Sequence, residues 1–176
     1  MAHVTLSNYD KMSDSVKKKA DITMKKTGDL GEIFQLLAIK DDVFFATDNM
    51  ASLYLLKETL LPYSTKQRIA ILVSLENGCK MCVGVHKQLA RVLGMSENEI
   101  EEVSKGIDAL SCSDAEKKLL HFCIRASKKD NYKILKEDIE EVKKTGYSEK
   151  DIFEAVSIVA YFNYINTLSN TFGLGS

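Results

Sequence analysis

Three residues whose side chains can do chemistry lie close together in the stretch SLENGCKMCVGVHKQLARVLG, residues 74–94. Cys79 and Cys82 are three positions apart, and His86 follows Cys82 by four positions. The arrangement has three interpretations: a redox centre made of two thiols, part of a metal site, or three residues that merely fill a helix. The spacing and the neighbouring sequence favour one of them.

The two cysteines are predicted to lie in the first turn of a helix. Asn77 and Gly78 form a pair typical of helix ends, so the next helix begins near Cys79. The unpaired amides and the dipole at a helix N-terminus stabilise a thiolate there. Residues i and i+3 of a helix also have Cα atoms about 5 to 6 Å apart, within the range of a disulfide. The pair can therefore close without backbone movement.

His86 is expected on the same helix face as the cysteines, because residues four and seven positions apart project from one side of a helix. A base beside a thiolate is the arrangement needed for nucleophilic sulfur chemistry. A zinc site would need a fourth ligand, and His121 and Cys123 do not supply the second closely spaced pair that structural zinc sites use. We therefore predict a redox couple with no metal and no other cofactor.

Length and composition predict a single globular domain. With 176 residues, 45% of them hydrophobic, the chain can bury one sizeable core. The 24 Lys and Arg are interleaved with 25 Asp and Glu, for a net charge of −1, which predicts no nucleic-acid partner and no membrane partner. The N-terminal stretch lacks the pattern of a secretory signal, and no apolar run has the length of a membrane span. We expect a cytoplasmic protein, in which a close cysteine pair is more often catalytic or metal-binding than structural.

Helix signals cover almost the whole sequence, and alternating strand patterns bounded by turns are missing. We predict an all-α fold of about seven to nine helices, with the C-x-x-C at the N-terminus of a central helix. Residues 1–29 are expected to form an N-terminal helical arm or extension, and residues 30–176 the main domain. A long, mostly apolar helix from Ser148 onward should be central to the core. Capping boxes are predicted at Ser64–Gln67, Ser96–Glu99 and Ser113–Glu116.

The segment QRIAILVSLENGCKMCVGVHKQLARVLGMSENEIEEVSKG resembles the core of the AhpD-like alkylhydroperoxidases, within the carboxymuconolactone decarboxylase superfamily. The later segments LSCSDAEKKLLHFCIRASKK and AYFNYINTLSNTFGLG look like the C-terminal helices of that family, so the resemblance covers about residues 30–175. It implies an all-helical protein that assembles as homo-trimers or hexamers. It also implies a thiol peroxidase or disulfide reductase activity.

In the scheme that the resemblance implies, Cys82 attacks a hydroperoxide and becomes a sulfenic acid, and Cys79 resolves it to a disulfide. His86 would carry the proton. A dithiol reductant, either a lipoyl group or a thioredoxin-like protein, would then reduce the pair. The neighbouring thiol protects the sulfenic acid from overoxidation, because condensation to the disulfide competes with further attack by peroxide.

Two positions depart from the family pattern. Gln67 stands where related peroxidases have a glutamate of the proton relay, and Met81 stands where many have a histidine. Because Gln67 cannot accept a proton, we expect it to complete the capping box with Ser64, with an orienting hydrogen bond to His86 as a further role. Glu76, near the end of the preceding helix, is the alternative carboxylate for the relay.

Two other functions stay open at this point. One is a lyase of the decarboxylase branch, which does not need the C-x-x-C, and the other is a non-catalytic redox-sensing oligomer, suggested by Gln67. Self-association is expected in any case, because the stretches FFATDNMASLYLL and VSIVAYFNYI present apolar residues around more than one helix face.

Overall fold

The computed structural model of the protein describes residues 2–175, which form nine α-helices and three short 3-10 turns. No strand occurs among these residues, and the prediction of an all-α fold with seven to nine helices is confirmed. The helices are α1 (Asp14–Thr27), α2 (Gly31–Leu37), α3 (Asp41–Leu55), α4 (Tyr63–Glu76), α5 (Lys80–Val92), α6 (Glu97–Lys105), α7 (Asp114–Ser127), α8 (Lys136–Lys143) and α9 (Glu149–Thr171).

Helix α4 is enclosed by its neighbours. Its residues 65–74 are buried without interruption, and an unbroken run of that length covers every face of a helix. The helix packs against α3, α5, α6, α7 and α9. Helix α9 in turn contacts α4, α5 and α7, as predicted for a central helix. The cysteine helix α5 therefore begins beside two helices of the core.

Two of the predicted helix starts form in the structure. Ser96 caps α6, and the Glu99 carboxylate accepts the amide of Ser96 at 2.9 Å, which completes the capping box. Ser113 caps α7 by accepting the amide of Glu116 at 3.2 Å. The Glu116 carboxylate does not return to the cap, because it pairs with the buried guanidinium of Arg68 at 2.8 Å. A buried cation needs such a counter-charge more than a cap needs its second hydrogen bond.

The capping box predicted at Ser64 and Gln67 is wrong. Helix α4 begins at Tyr63 after Pro62, so Ser64 already lies inside the helix and no side chain caps this start. Proline sets its own φ near the helical value, here −59°, which favours a helix start without a side-chain cap. The Gln67 side chain is fully buried instead of returning to the backbone.

The N-terminal segment forms a helix held on the surface of α3. Met12, Val16 and Ala20 are buried in a small cluster with Phe44. The division into residues 1–29 and 30–176 stays a prediction, and its outer ends, residues 1 and 176, lie outside the described residues. None of the helices formed by residues 2–175 combines the length and the apolar character needed to cross a bilayer.

Candidate active site

A tight turn between α4 and α5 positions the two cysteines. Gly78 has a φ of +66°, a left-handed conformation that glycine adopts without strain. The amide of Cys79 then donates to the carbonyl of Ser74 at 2.8 Å, which ends α4 as a closed turn. Cys79 becomes the N-cap of α5, and Cys82 lies in its first turn. This part of the prediction is confirmed.

The sulfur atoms of Cys79 and Cys82 are joined as a disulfide, with the Cα atoms 5.4 Å apart. Both residues are buried, with exposures of 1% and 2%. The amide of Cys82 points at Cys79 Sγ, with 3.4 Å between the two atoms. The sulfur of Cys79 thus occupies the place of an N-cap oxygen, where helix amides stabilise negative charge.

Ser169 contacts the other sulfur. Its Oγ lies 3.5 Å from Cys82 Sγ, and because a disulfide sulfur carries no hydrogen, the serine hydroxyl is the donor. Ser169 comes from the last turns of α9 and is 1% exposed. The sequence analysis missed this residue. No local signal marked it, because Thr167, Asn170 and Thr171 around it are polar as well.

A polar network fixes the turn before the cysteines to α9. The side-chain amide of Asn77 donates to the Oδ1 atoms of Asn163 and Asn166, at 2.8 and 3.0 Å. The amide of Asn166 donates to Ser74 Oγ at 3.1 Å, and the amide of Asn170 donates to the carbonyl of Asn77 at 2.8 Å. These bonds tie the end of α4 to one face of α9 and hold the start of α5 in place.

His86 lies one turn after Cys82 and shares the buried stripe of α5 with it. Its Nδ1 lies 2.9 Å from Gln67 Oε1, and since an amide oxygen only accepts, the hydrogen is on Nδ1 and Nε2 is left as an acceptor. The ring packs edge-on against Phe162, with centroids 4.7 Å apart. Burial lowers the pKa of His86 from 6.5 to about 4. The imidazole is therefore neutral near pH 7 and has one fixed tautomer.

Gln67 is the hydrogen-bond partner of His86. The charged residues on either side of it, Lys66 and Arg68, form ion pairs with other helices. The buried Lys66 pairs with Glu154 at 2.8 Å, and Arg68 pairs with Glu116 at 2.8 Å. The amide nitrogen of Gln67 is buried and makes no hydrogen bond within residues 2–175. An unmatched buried donor is unusual and costs about 1 to 3 kcal/mol. The other polar atom of this side chain, Oε1, makes the orienting contact to His86 that the sequence predicts as a further role of Gln67.

The remaining sequence candidates lie away from this centre. Glu76 is paired with Lys128 at 3.4 Å, and within residues 2–175 it makes no hydrogen bond to the cysteines or to His86. His121 lies beside Asp108 at 3.3 Å on the surface. Cys123 is buried, and its burial raises the pKa of the thiol to about 12. In the part of the chain that the structure describes, no group of His, Cys, Asp and Glu side chains could hold a metal ion.

A cavity of about 290 Å³ lies beside His86, with walls from α2, α3, α5 and α9. Its lining is mostly apolar, and its polar side chains are those of Thr47, Asp48, His86 and Tyr161. Together, the site offers a cysteine pair joined as a disulfide, a neutral base with a free nitrogen, and a mostly apolar space next to that base.

Residues 44–123 match the model of the carboxymuconolactone decarboxylase family. A peroxidase-related protein with an alkylhydroperoxidase AhpD core, from Ralstonia eutropha JMP134, has a TM-score of 0.90 at 20% identity, over 98% of this chain and 90% of that chain. A peroxidase-related protein from Silicibacter sp. TM1040 has a TM-score of 0.89 at 20% identity, with coverages of 98% and 90%. The debrominase Bmp8, solved with 2,3,4-tribromopyrrole, has a TM-score of 0.77 at 17% identity, over 99% of this chain and 92% of that chain. At these identities the likeness concerns the fold. A comparison with curated proteins finds no match.

Proposed function

We propose that this chain is a cysteine-based peroxidase and thiol-disulfide oxidoreductase. The proposal is supported by the match of residues 44–123 to the model of the carboxymuconolactone decarboxylase family and by the AhpD-like fold of the helices. The observation that carries the proposal is the buried Cys79–Cys82 pair, in which Cys82 is one helical turn from His86. Burial keeps the imidazole neutral, and Gln67 fixes its tautomer. A neutral imidazole with a free nitrogen can take a proton from a thiol and return it to a leaving group.

The first step is the oxidation of Cys82. In the reduced protein the Cys82 thiol gives its proton to His86 Nε2, and the thiolate attacks the terminal oxygen of a hydroperoxide, ROOH. A sulfur–oxygen bond forms, the oxygen–oxygen bond breaks, and the leaving alkoxide takes the proton from His86 to become ROH. The sulfur loses two electrons, and the peroxide gains them. The product at Cys82 is a sulfenic acid.

The second step closes the disulfide. The thiolate of Cys79 attacks the sulfenic sulfur, and hydroxide leaves with a proton as water. Two thiols have then been oxidised for one hydroperoxide reduced. A dithiol reductant, such as a lipoyl group or a thioredoxin-like protein, returns two electrons and two protons and is itself oxidised to a disulfide.

The cysteine roles are assigned by position. Cys82 shares the buried stripe of α5 with His86, and its sulfur has the Ser169 hydroxyl as a donor. The sulfur of Cys79 faces the amide of Cys82 instead. Only Cys82 is one turn from the base, so we assign the attack on peroxide to it and the resolving role to Cys79.

Two alternatives make different predictions. A lyase of the decarboxylase branch would keep its activity when both cysteines are replaced. A redox sensor would form the Cys79–Cys82 disulfide once but would not turn over with a dithiol. Steady-state consumption of cumene hydroperoxide in the presence of dihydrolipoamide, abolished in Cys82→Ser, supports the peroxidase over both.

We also propose that the chain assembles as a homo-trimer or hexamer. The surface around Phe153, which is 76% exposed, carries Leu53 and Leu60 at 45% and 53% exposure. Two apolar grooves of about 540 and 520 Å³ flank Phe153. Large apolar side chains exposed next to one another are typical of interaction sites.

Thiol counting tests the proposed function. The reduced protein is treated with one molar equivalent of cumene hydroperoxide, and its free thiols are alkylated and mapped by mass spectrometry. We expect the loss of two alkylatable thiols, at Cys79 and Cys82, while Cys112 and Cys123 stay free and serve as internal controls. If Cys79 and Cys82 both remain alkylatable after the hydroperoxide has been added, the proposal is wrong.

A further inference from the structure

The chain reverses direction sharply after α9. Gly173 has a φ of +65°, and the amide of Leu174 donates to the carbonyl of Ser169 at 2.9 Å. The amide of Gly173 donates to the carbonyl of Asn170 at 3.3 Å. Two such bonds close a helix that ends in a glycine of left-handed conformation. The chain therefore turns next to Ser169, the residue whose hydroxyl contacts the disulfide. We call residues 172–175 the strap.

The strap lies against the first turn of the cysteine helix. A Cβ atom built on Gly175 would come within 2.8 Å of the Cβ atom of Met81, closer than two such atoms can approach. Met81 stands between the two cysteines in the sequence. The amide of Gly175 also donates to the carboxylate of Glu32 in α2. The strap thus connects the start of α5 to α2, beside the disulfide.

Residues near the N-terminus hold the other end of the strap. The amide of His3 donates to the carbonyl of Phe172 at 2.8 Å, and His3 Nδ1 lies 3.1 Å from the carbonyl of Thr171. A Cβ atom on Gly173 would lie 2.6 Å from the imidazole of His3, so the ring fills the space that this glycine leaves. Contacts with other segments therefore fix the strap at both of its ends.

These contacts are weaker than those of the helices around the disulfide. Leu174 is the buried side chain of the strap, with 7% exposure, and it belongs to neither of the two apolar clusters formed by residues 2–175. Helices α4, α5 and α9 all contribute to the larger cluster. Segments with few buried apolar contacts and exposed hydrogen bonds open at the lowest free energy. Among the segments next to the disulfide, the strap is therefore the one expected to open first.

We propose that the strap shields the Cys79–Cys82 disulfide and that it must lift from Met81 before a thiol reductant can reach either sulfur. Reduction begins when a thiolate attacks one sulfur of a disulfide, so its rate depends on access. Exposures of 1% and 2% leave the two cysteines out of reach of a second molecule. The use of this opening in turnover rests on the proposed function, whereas the shielding itself requires only a reducible disulfide.

Reduction of the oxidised protein by dithiothreitol measures the shielding. A thiolate of dithiothreitol forms a mixed disulfide with one cysteine and displaces the other cysteine as a thiolate, which takes a proton. The second thiol of dithiothreitol then closes its own disulfide and releases the first cysteine. Two electrons pass from dithiothreitol to the protein. Alkylation at successive times, followed by mass spectrometry, gives the rate at which thiols appear at Cys79 and Cys82.

Gly175→Ala should lift the strap, because its methyl group would collide with Met81. Its matched control is Gly28→Ala, because the φ of Gly28 is +76° and that of Gly175 is +75°. Both variants carry the cost of a left-handed alanine, but a Cβ at Gly28 meets no atom among residues 2–175 within 4 Å beyond its chain neighbours. A second variant, Leu174→Ser, removes the buried anchor of the strap, and Leu135→Ser, at a residue 60% exposed, is its control.

We expect the rate of reduction to rise by about tenfold or more in Gly175→Ala and in Leu174→Ser, because each variant raises the open fraction that dithiothreitol can attack. Both controls should keep the wild-type rate. A rise of the same size in Gly28→Ala would mean that general destabilisation exposes the disulfide, and it would overturn the inference. Wild-type rates in both strap variants would overturn it as well.

Turnover with peroxide separates this inference from the proposed function. Wild-type reduction rates in strap variants that still consume cumene hydroperoxide contradict the strap and leave the peroxidase intact. Faster reduction of the strap variants, in a protein inert toward cumene hydroperoxide and hydrogen peroxide, supports the strap and contradicts the peroxidase.

Discussion

The Nδ1 atom of His86 lies 2.9 Å from the Oε1 atom of Gln67, inside the core and one helical turn from Cys82. The amide holds the imidazole in one tautomer but cannot take a proton from it. A carboxylate in the same place would do both. The pair therefore defines a site in which the histidine is positioned but the proton relay stops at the imidazole.

Replacing Gln67 with Glu should speed the oxidation step. A carboxylate beside Nδ1 stabilises the imidazolium and raises the pKa of His86 from about 4 toward neutral pH, which makes it a stronger base. We expect the rate of single-turnover oxidation by cumene hydroperoxide to rise by about tenfold. Gln88→Glu adds the same charge on the exposed side of α5 and is the matched control. An unchanged rate in Gln67→Glu would contradict the statement that the proton relay stops at the imidazole.

His86 should make the protein less stable in mild acid. Its pKa is 6.5 when unfolded and about 4 when folded, so between these values the unfolded chain binds a proton that the folded chain rejects. The stabilisation by this group is full above pH 6.5 and is lost as the pH falls toward 4, at about 1.4 kcal/mol per pH unit. Chemical denaturation at several pH values should show this slope in the wild type and in the control His121→Gln. The slope should be smaller by that amount in His86→Gln, and equal slopes in both variants would refute the assignment.

Ser169→Ala should slow the oxidation of Cys82. The hydroxyl lies 3.5 Å from the sulfur, and a hydrogen bond to a charged acceptor contributes about 1.5 to 3 kcal/mol. Without it, a smaller fraction of Cys82 is thiolate at neutral pH, and the oxidation rate should drop by about tenfold. The ultraviolet absorbance of the thiolate, followed against pH in a Cys79→Ser background, measures that fraction directly. Ser104→Ala removes a helical serine hydroxyl that bonds its own helix and should change neither quantity.

Phe153→Ser should weaken self-association. Phe153 is 76% exposed between two apolar grooves, and removing a central aromatic side chain from an interface costs about 2 kcal/mol or more. Light scattering should give three or six times the 19.7 kDa chain mass for the wild type and a lower mass for the variant. Tyr132→Ser, at a residue 78% exposed, is the control and should keep the wild-type mass. A wild type that scatters as a 19.7 kDa monomer at micromolar concentration contradicts the prediction of assembly.

Local signals were enough to predict the start of the cysteine helix. The Asn77–Gly78 pair ends α4, and Cys79 then takes the N-cap position from which a disulfide to Cys82 can close. These features depend on residues adjacent in sequence, and helix geometry alone relates them. The all-helical fold follows from similar local patterns of spacing and capping.

Features that depend on distant segments could not be predicted in the same way. Lys66, Gln67 and Arg68 look like the polar start of a helix, yet all three are buried. They are buried because their partners, among them Glu154 and His86, come from other helices that pack around α4. The contact of Ser169 with Cys82 likewise requires the packing of α9 on α5, which no sequence pattern specifies.

Single-turnover oxidation of the two cysteine variants tests the central claim most directly. Each reduced variant is mixed with cumene hydroperoxide, and the sulfenic acid is trapped and mapped by mass spectrometry. The account predicts that Cys79→Ser forms one sulfenic acid at Cys82 and then fails to turn over with dihydrolipoamide, whereas Cys82→Ser does not react at either position. Rapid oxidation of Cys79 in Cys82→Ser, together with an inert Cys79→Ser, would contradict the assignment of Cys82 as the residue that attacks the peroxide.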